Sequence, residues 1–257
     1  MNKSDVLVAR DIETRIGNEK FNPKGNMLMS HAIQFRATPA LPVVESNQTF
    51  PVGRIYCVGR NYAEHAREMG HDPDREPPFF FMKPADAITA NGVTLPFPQA
   101  TKDLHHEIEM IVAIGRDGAN IPVEKALDHV FGYGVGLDMT RRDIQGEAKK
   151  MGRPWEMGKA FDNSAPCTAL KTVAMAGHPA KGAIWLKING TVKQKGDLSE
   201  MIWNVPEMIS CLSKLITLRA GDVIMSGTPA GVGPVKAGDK LEGHVDGVGD
   251  LTVTYSK

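Results

Sequence analysis

The chain has 257 residues, 42% hydrophobic and 23% charged, which suits one large globular domain or two small ones. Lys plus Arg and Asp plus Glu number 30 each, so no bulk field draws the protein to nucleic acid or anionic lipid, and any anion selectivity must come from local cations. Cys57, Cys167 and Cys211 are scattered and form no CxxC, which argues for reduced thiols and against a structural zinc site. No apolar run reaches the length of a membrane span and the N-terminus lacks an apolar export core, so a cytoplasmic location is expected.

Residues 1–26 are polar and mixed in charge, without a periodic apolar face, and residues 1–36 read as a disordered tail, or as an extension ahead of a later start at Met27 or Met29. Residues 37–52 read as an extended, Pro-punctuated lead-in, and residues 53–257 as one catalytic domain. Arg54 to Val58 is a short strand leading into a helix, with Asn61 as cap, Glu64 at N3 and a stop at Gly70. Residues 105–115 (HHEIEMIVAIG) read as one strand and Phe131 to Met139 as another. Thr140 with Asp143 predicts a second capped helix ending near Gly152. Asn189-Gly190 between alternating segments predicts a hairpin. Ile209, Leu212, Leu215 and Ile216 predict a core-facing helix opened by Pro206, and residues 240–256 close the chain as β structure. The sum is strand-rich α+β rather than a doubly wound sheet.

Several common motifs fail. Gly132-Tyr-Gly134-Val-Gly136 has no G-x-x-G continuation, and Gly227-Thr-Pro-Ala-Gly231 lacks the Lys of a phosphate loop. Met110 stands where a zinc-protease helix beginning at His106 needs its second His, and no G-x-S-x-G elbow seats a serine nucleophile. A hydrolase of this sequence would activate water directly.

Glu107 and Glu109, two apart on a strand, share a face. Ile108, Met110, Val112 and Ile114 make the other face apolar, and Ile111 and Ala113 make the Glu-bearing face apolar too. The pair is either the wet side of an edge strand or a buried pair in need of a cation, for which a metal ion is the economical partner. Asp138 ends another apolar run, and three carboxylates without a soft ligand favour Mg²⁺ or Mn²⁺. His65 and Glu68 lie three apart on the first helix, as a general-base dyad or as a surface pair. Lys159 between apolar neighbours could neutralise substrate charge or merely snorkel. Arg141, Arg142 and Gln145 could hold a carboxylate or form a solvated face.

Taken together and in order, Cys57-Val-Gly-Arg-Asn-Tyr-Ala-Glu-His65-Ala-Arg-Glu68, Phe81-Met-Lys-Pro84 and His105-His-Glu107-Ile-Glu109 resemble the fumarylacetoacetate hydrolase superfamily. Leu137-Asp138-Met-Thr-Arg-Arg-Asp-Ile-Gln145, Lys159-Ala-Phe161 and Ser226-Gly-Thr228-Pro-Ala-Gly-Val-Gly-Pro234 continue the resemblance, which covers roughly residues 53–255 and is nearest to acylpyruvate hydrolases of the fumarylpyruvate type. It implies a mixed β-roll, a homodimer, metal ligands at Glu107, Glu109 and Asp138, and catalytic roles for His65, Glu68 and Lys159. It further implies substrate contacts at Arg142, Gln145 and Thr228. The implied reaction is Mg²⁺- or Mn²⁺-dependent hydrolysis of the C3–C4 bond of a 2,4-dioxo acid, in gentisate breakdown, with no nucleic-acid or membrane partner. Oxaloacetate decarboxylation, or hydratase or isomerase chemistry, is the alternative on the same scaffold.

Overall fold

Runs rich in Val, Ile and Phe, broken by Gly, Pro, Asn or Asp, dictate short strands rather than long helices. The computed structural model, which describes residues 33–34, 36–68 and 76–257, is built that way. A central mixed sheet runs in the order β4 (Phe79–Lys83), β3 (Arg54–Gly59), β15 (Asp222–Met225), β8 (Ile108–Ile114), β9 (Val130–Leu137), β11 (Ala165–Cys167) and β5 (Ile88–Ala90), with β12 (Lys171–Thr172) also paired to β9. A second sheet runs β14 (Thr191–Asp197), β13 (Ala183–Ile188), β17 (Lys240–Val245), β18 (Gly249–Tyr255) and β6 (Val93–Leu95). A small sheet joins β10 (Thr140–Arg141), β7 (Leu104–His106) and β16 (Gly233–Val235), and β1 (Ala40–Pro42) pairs with β2 (Thr49–Pro51). Parallel pairs such as β3 with β15 lie beside antiparallel ones such as β8 with β9. The architecture is therefore the strand-rich α+β fold with a curled mixed sheet that the sequence predicts.

Both faces of β8 are buried, so its seven residues show no alternation of exposure. Ile108, Met110, Val112 and Ile114 pack with Ile184, Leu186, Leu241, Leu251 and Val253 of the second sheet. Ile111 and Ala113 belong to a separate cluster with Leu41, Val43 and Phe50 of the β1–β2 region. At roughly 1.5–3 kcal/mol per fully buried aliphatic side chain, this two-sided burial is what holds β8 at the centre. The glycine run of β9 serves the same packing: a Cβ at Gly136 would sit 2.6 Å from Ile111 Cδ1, and one at Gly132 would sit 2.2 Å from the Lys171 carbonyl oxygen.

Helices are few. α1 (Ala63–Glu68), α2 (Arg142–Lys150), α3 (Glu156–Lys159) and α4 (Val205–Leu215) are those that position the site. The Asn189-Gly190 hairpin forms as predicted, with Ile188 opposite Thr191 and both turn residues at positive φ (50° and 79°). Three local expectations are corrected. Asn61 does not cap α1; its side chain accepts from the Trp203 backbone N–H and donates to the Trp203 and Ser226 carbonyls, because full burial supplies backbone partners that outrank a cap. Thr140 does not cap α2 either, being drawn to Lys159, although Gly152 at φ 62° does follow the helix end. Leu215 is 70% exposed at the end of α4, and the buried stripe of that helix is Val205, Met208, Ile209 and Leu212. The predicted stop at Gly70 lies outside the described residues.

Candidate functional site

The predicted strand over 105–115 is two strands, β7 and β8, parted at Glu107. At that break the Glu107 carbonyl accepts from the Asp138 backbone N–H at 2.9 Å, which ties the end of β9 to the start of β8. Glu107, Glu109 and Asp138 are thereby brought together, each buried, with one carboxylate oxygen from each lying within 4.8 Å of the others.

Three cations answer them unevenly. Lys159 Nζ, at the end of α3, donates to Glu107 Oε2 at 2.8 Å, Asp138 Oδ2 at 2.7 Å and Thr140 Oγ1 at 2.7 Å. Lys83 Nζ, at the end of β4, lies 2.8 Å from Asp138 Oδ1 and donates to the Met139 and Lys159 carbonyls. Arg142, opening α2, reaches Glu107 Oε1 at 2.5 Å. Burial opposes the charge on Glu107, but Lys159 and Arg142 outweigh it and hold that carboxyl well below its ordinary range. Burial likewise opposes the Lys159 ammonium, yet Asp138 and Glu107 leave its amine above its ordinary value. Glu109 is different. Its Oε2 accepts from the Gly227 backbone N–H at 2.7 Å, while burial and the neighbouring Asp138 and Glu107 push its carboxyl well up. A buried carboxylate held beside two others is a place built for another positive charge.

The donor set fits a hard divalent cation. Three carboxylates converge, the thiols of Cys57 and Cys167 are buried and pushed up rather than activated, and the under-compensated Glu109 is the one an added cation would relieve. Glu107, Glu109 and Asp138 are the residues that would hold it.

The α1 dyad stands at the same place. His65 is buried, and its Nδ1 lies 3.2 Å from Glu68 Oε2. Glu68 also accepts from the Gly231 backbone N–H at 3.1 Å. The segment Ser226–Gly231 thus works as a hub: Ser226 holds Asn61, Gly227 holds Glu109, and Gly231 holds Glu68. Gly227 has φ 92° and leaves room for Asn61, whose Cβ would be 2.6 Å from a side chain there.

His65, Glu107, Glu109, Asp138, Arg142, Gln145, Lys159 and Thr228 all line one open cavity. Glu68 stands behind His65 rather than in the lining. Arg142 donates to Gln145 Oε1 at 2.7 Å, so these two are tied to each other as well as to Glu107. Sequence reasoning passed over Lys83, Arg60, Lys149 and Gln194. Lys83 ends the apolar run Phe79–Met82, where a terminal Lys normally snorkels to water. Among the described residues that line the cavity, Arg60 and Lys149 are further cations and the carboxylates are those of the triad. Arg60 sits at φ 57°, a costly conformation for a side-chain-bearing residue.

Residues 54–255 match the family described as fumarylacetoacetate (FAA) hydrolase C-terminal. The crystal structure of fumarylpyruvate hydrolase from Pseudomonas aeruginosa in complex with Mn²⁺ and pyruvate is similar at a TM-score of 0.86 and 52% identity, covering 88% of this chain and 99% of that one. The mitochondrial oxaloacetate tautomerase FAHD1 of Homo sapiens is 44% identical over 203 residues, covering 79% of this chain and 91% of the relative. The 5-carboxymethyl-2-hydroxymuconate delta-isomerase of Mycobacterium smegmatis is similar at a TM-score of 0.72 and 32% identity, covering 85% of this chain and 82% of that one. With this coverage and identity, the chain belongs to the fumarylacetoacetate hydrolase family.

Proposed function

We propose that the protein is a divalent-metal-dependent hydrolase of acylpyruvates, acting on fumarylpyruvate to give fumarate and pyruvate. The observation that carries this reading is His65, backed by Glu68, lining the same cavity as the buried triad Glu107, Glu109 and Asp138. A hydrolase uses that base to activate water, whereas a tautomerase would use it to move a proton between C3 and the 2-oxo oxygen, so substrate preference separates the two.

With its Nδ1 proton given to Glu68, His65 keeps Nε2 as the basic nitrogen and takes a proton from a water molecule beside the substrate. The hydroxide attacks the C4 carbonyl, the C3–C4 bond breaks, and its electron pair passes to the pyruvate enolate. A proton returned to C3 then completes pyruvate, with the other product released as the carboxylate. The ion held by Glu107, Glu109 and Asp138 would supply Lewis-acid stabilisation of the 2-oxo acid end. Lys159 adds a fixed positive charge beside it, in a pocket too buried for water to screen. Arg142, Gln145 and Thr228 orient the substrate from the cavity wall. Arg60 and Lys149, cations in the same lining, favour an acyl group that ends in a second carboxylate. Charge supports the same choice. Three lysine or arginine cations balance the three carboxylates of the cluster, so a bound divalent ion leaves a surplus that a dicarboxylate neutralises.

The same reading carries the family expectations of Mg²⁺ or Mn²⁺, a homodimer, and a cytoplasmic place in aromatic (gentisate) catabolism. A second reading, tautomerisation or decarboxylation of oxaloacetate, is favoured by the 44% identity to the human oxaloacetate tautomerase. Both start from a 2-oxo acid at the metal, but the second consumes no water. Pyruvate release from fumarylpyruvate, acetylpyruvate and oxaloacetate, together with the enol–keto absorbance change of oxaloacetate, each with Mn²⁺ and with EDTA, separates them. EDTA-sensitive turnover, fastest on fumarylpyruvate, is the expected result; turnover of oxaloacetate alone would replace hydrolysis with the second reading.

A further inference from the structure

Gln194 is fully buried in β14, a strand of the second sheet, and its amide spans the gap to the catalytic face. Its Oε1 accepts from the Ile108 backbone N–H at 3.0 Å and from His106 Nδ1 at 2.8 Å. Its Nε2 donates to the Pro229 carbonyl at 2.8 Å and to Thr228 Oγ1 at 2.7 Å. The two backbone partners fix which end of the amide is which, since a peptide N–H can only donate and a peptide carbonyl can only accept. The polarity of the two side-chain partners follows without choice. His106 carries its proton on Nδ1, and Thr228 is a hydrogen-bond acceptor toward Gln194.

A hydroxyl that accepts from an amide behind it has its one proton free for what lies in front. Thr228 is 2% exposed and lines the catalytic cavity, so that proton is offered to the occupant. The same amide holds the Ile108 N–H, one residue from both Glu107 and Glu109. The loop it grips at Pro229 is the one that carries Gly227, bound to Glu109, and Gly231, bound to Glu68.

We propose that Gln194 is a positioning residue that locks Thr228 as a hydrogen-bond donor to an anionic oxygen of the substrate, while keying the carboxylate strand to the Ser226–Gly231 loop. This rests on Thr228 being a substrate contact, as the proposed function has it. The group it selects is a hydrogen-bond acceptor, such as a carboxylate or a 2-oxo oxygen, and a donor-only group such as an ammonium in that place is rejected. Gln194→Glu tests the polarity. A carboxyl group has at most one proton, which the Pro229 carbonyl requires, so the Thr228 hydroxyl must turn round and donate backward.

The experiment measures kcat and KM for fumarylpyruvate and the Kd of pyruvate with Mn²⁺ present, for Gln194→Glu, Gln194→Met, Thr228→Val, Thr228→Ser and the Gln194 variants combined with Thr228→Val. Losing a hydrogen bond to a charged group predicts that Thr228→Val and Gln194→Glu each raise KM and the pyruvate Kd about tenfold or more, and that Thr228→Ser restores most of it. In the Thr228→Val background Gln194→Glu adds under about twofold, because the two changes remove one interaction. Should Gln194→Glu fail to fold, Gln194→Met carries the same coupling test, with a smaller rise in KM that vanishes in the double variant. Multiplying effects in the double variants would overturn the proposal and leave Gln194 a packing residue. Wild-type affinity in Thr228→Val would overturn it together with the substrate-contact role of Thr228. Absence of wild-type turnover, with intact coupling in the pyruvate Kd, would instead sink the reaction assignment alone.

Discussion

The buried cluster of Lys83, Lys159 and Arg142 with Glu107, Glu109 and Asp138 and the surface cluster of His244 with Asp246 and Asp250 use the same chemistry at opposite ends of the solvent scale. On β17, His244 sits between two aspartates at 2.8 and 2.7 Å with its ring stacked on Trp185, and water screens all of it. Around the triad, Lys83, Lys159, Glu107, Glu109 and Asp138 are buried with Arg142 half-buried beside them, and each buried charge is expensive unless answered. Replacing such a cluster by apolar residues is often neutral or stabilising. Its presence at a cavity, with Glu109 left under-compensated, supports the proposed cation site over a brace for the fold.

The largest effect that would break this contrast is at Lys159. Lys159→Met leaves Glu107 and Asp138 each short of a cation, so denaturant unfolding of the metal-free protein should show a loss of about 3–5 kcal/mol. Turnover of fumarylpyruvate should fall at least about 100- to 1,000-fold. A variant as stable as wild type would mean that the buried pairs are not coupled as their distances suggest. Next is His65→Ala, which should cost about 10²- to 10⁴-fold in kcat yet leave Mn²⁺ affinity unchanged, since His65 stands outside the carboxylate triad. Full activity in that variant would remove the water-activation role.

The smallest effect sharpens the surface half. Burial lowers the His244 pKa, but hydrogen bonds to Asp246 and Asp250 outweigh it, so the folded value lies above the ordinary 6.5. Stabilisation by a raised group is fully present below its unfolded pKa and is lost as pH rises through its folded pKa. Substituting His244→Asn should therefore lower stability near pH 5.5 by on the order of 0.5 kcal/mol after solvent screening, with the gap closing as the medium turns alkaline. Equal gaps at both ends of a urea-melt pH series would show that stacking on Trp185, not charge, is what His244 contributes.

Much of this contrast is legible in the sequence. Acidic residues inside runs that are apolar on both strand faces, as at Glu107, Glu109 and Asp138, signal burial, and the structure buries all three. Asn189-Gly190 signals its turn because positive φ is a local requirement. What sequence reasoning misses is set by tertiary partners. Asn61 and Thr140 have the chemistry of caps but spend it on Trp203 and Lys159. Lys83 looks like a strand-end lysine, and Gln194 lies in the polar run Thr191–Asp197, where nothing local distinguishes a buried amide from solvated neighbours.

Thermal unfolding of wild type and Glu109→Gln, each in EDTA and in saturating Mn²⁺, tests the central claim most directly. A divalent site built against stability predicts that Mn²⁺ raises the wild-type Tm, with a gain of about 2.7 kcal/mol at a hundred times Kd. Glu109→Gln should be as stable as wild type or more so in EDTA, and should gain nothing from Mn²⁺. A wild-type Tm that ignores Mn²⁺, or a Glu109→Gln variant that responds as wild type does, would contradict the assignment of the triad as the metal site.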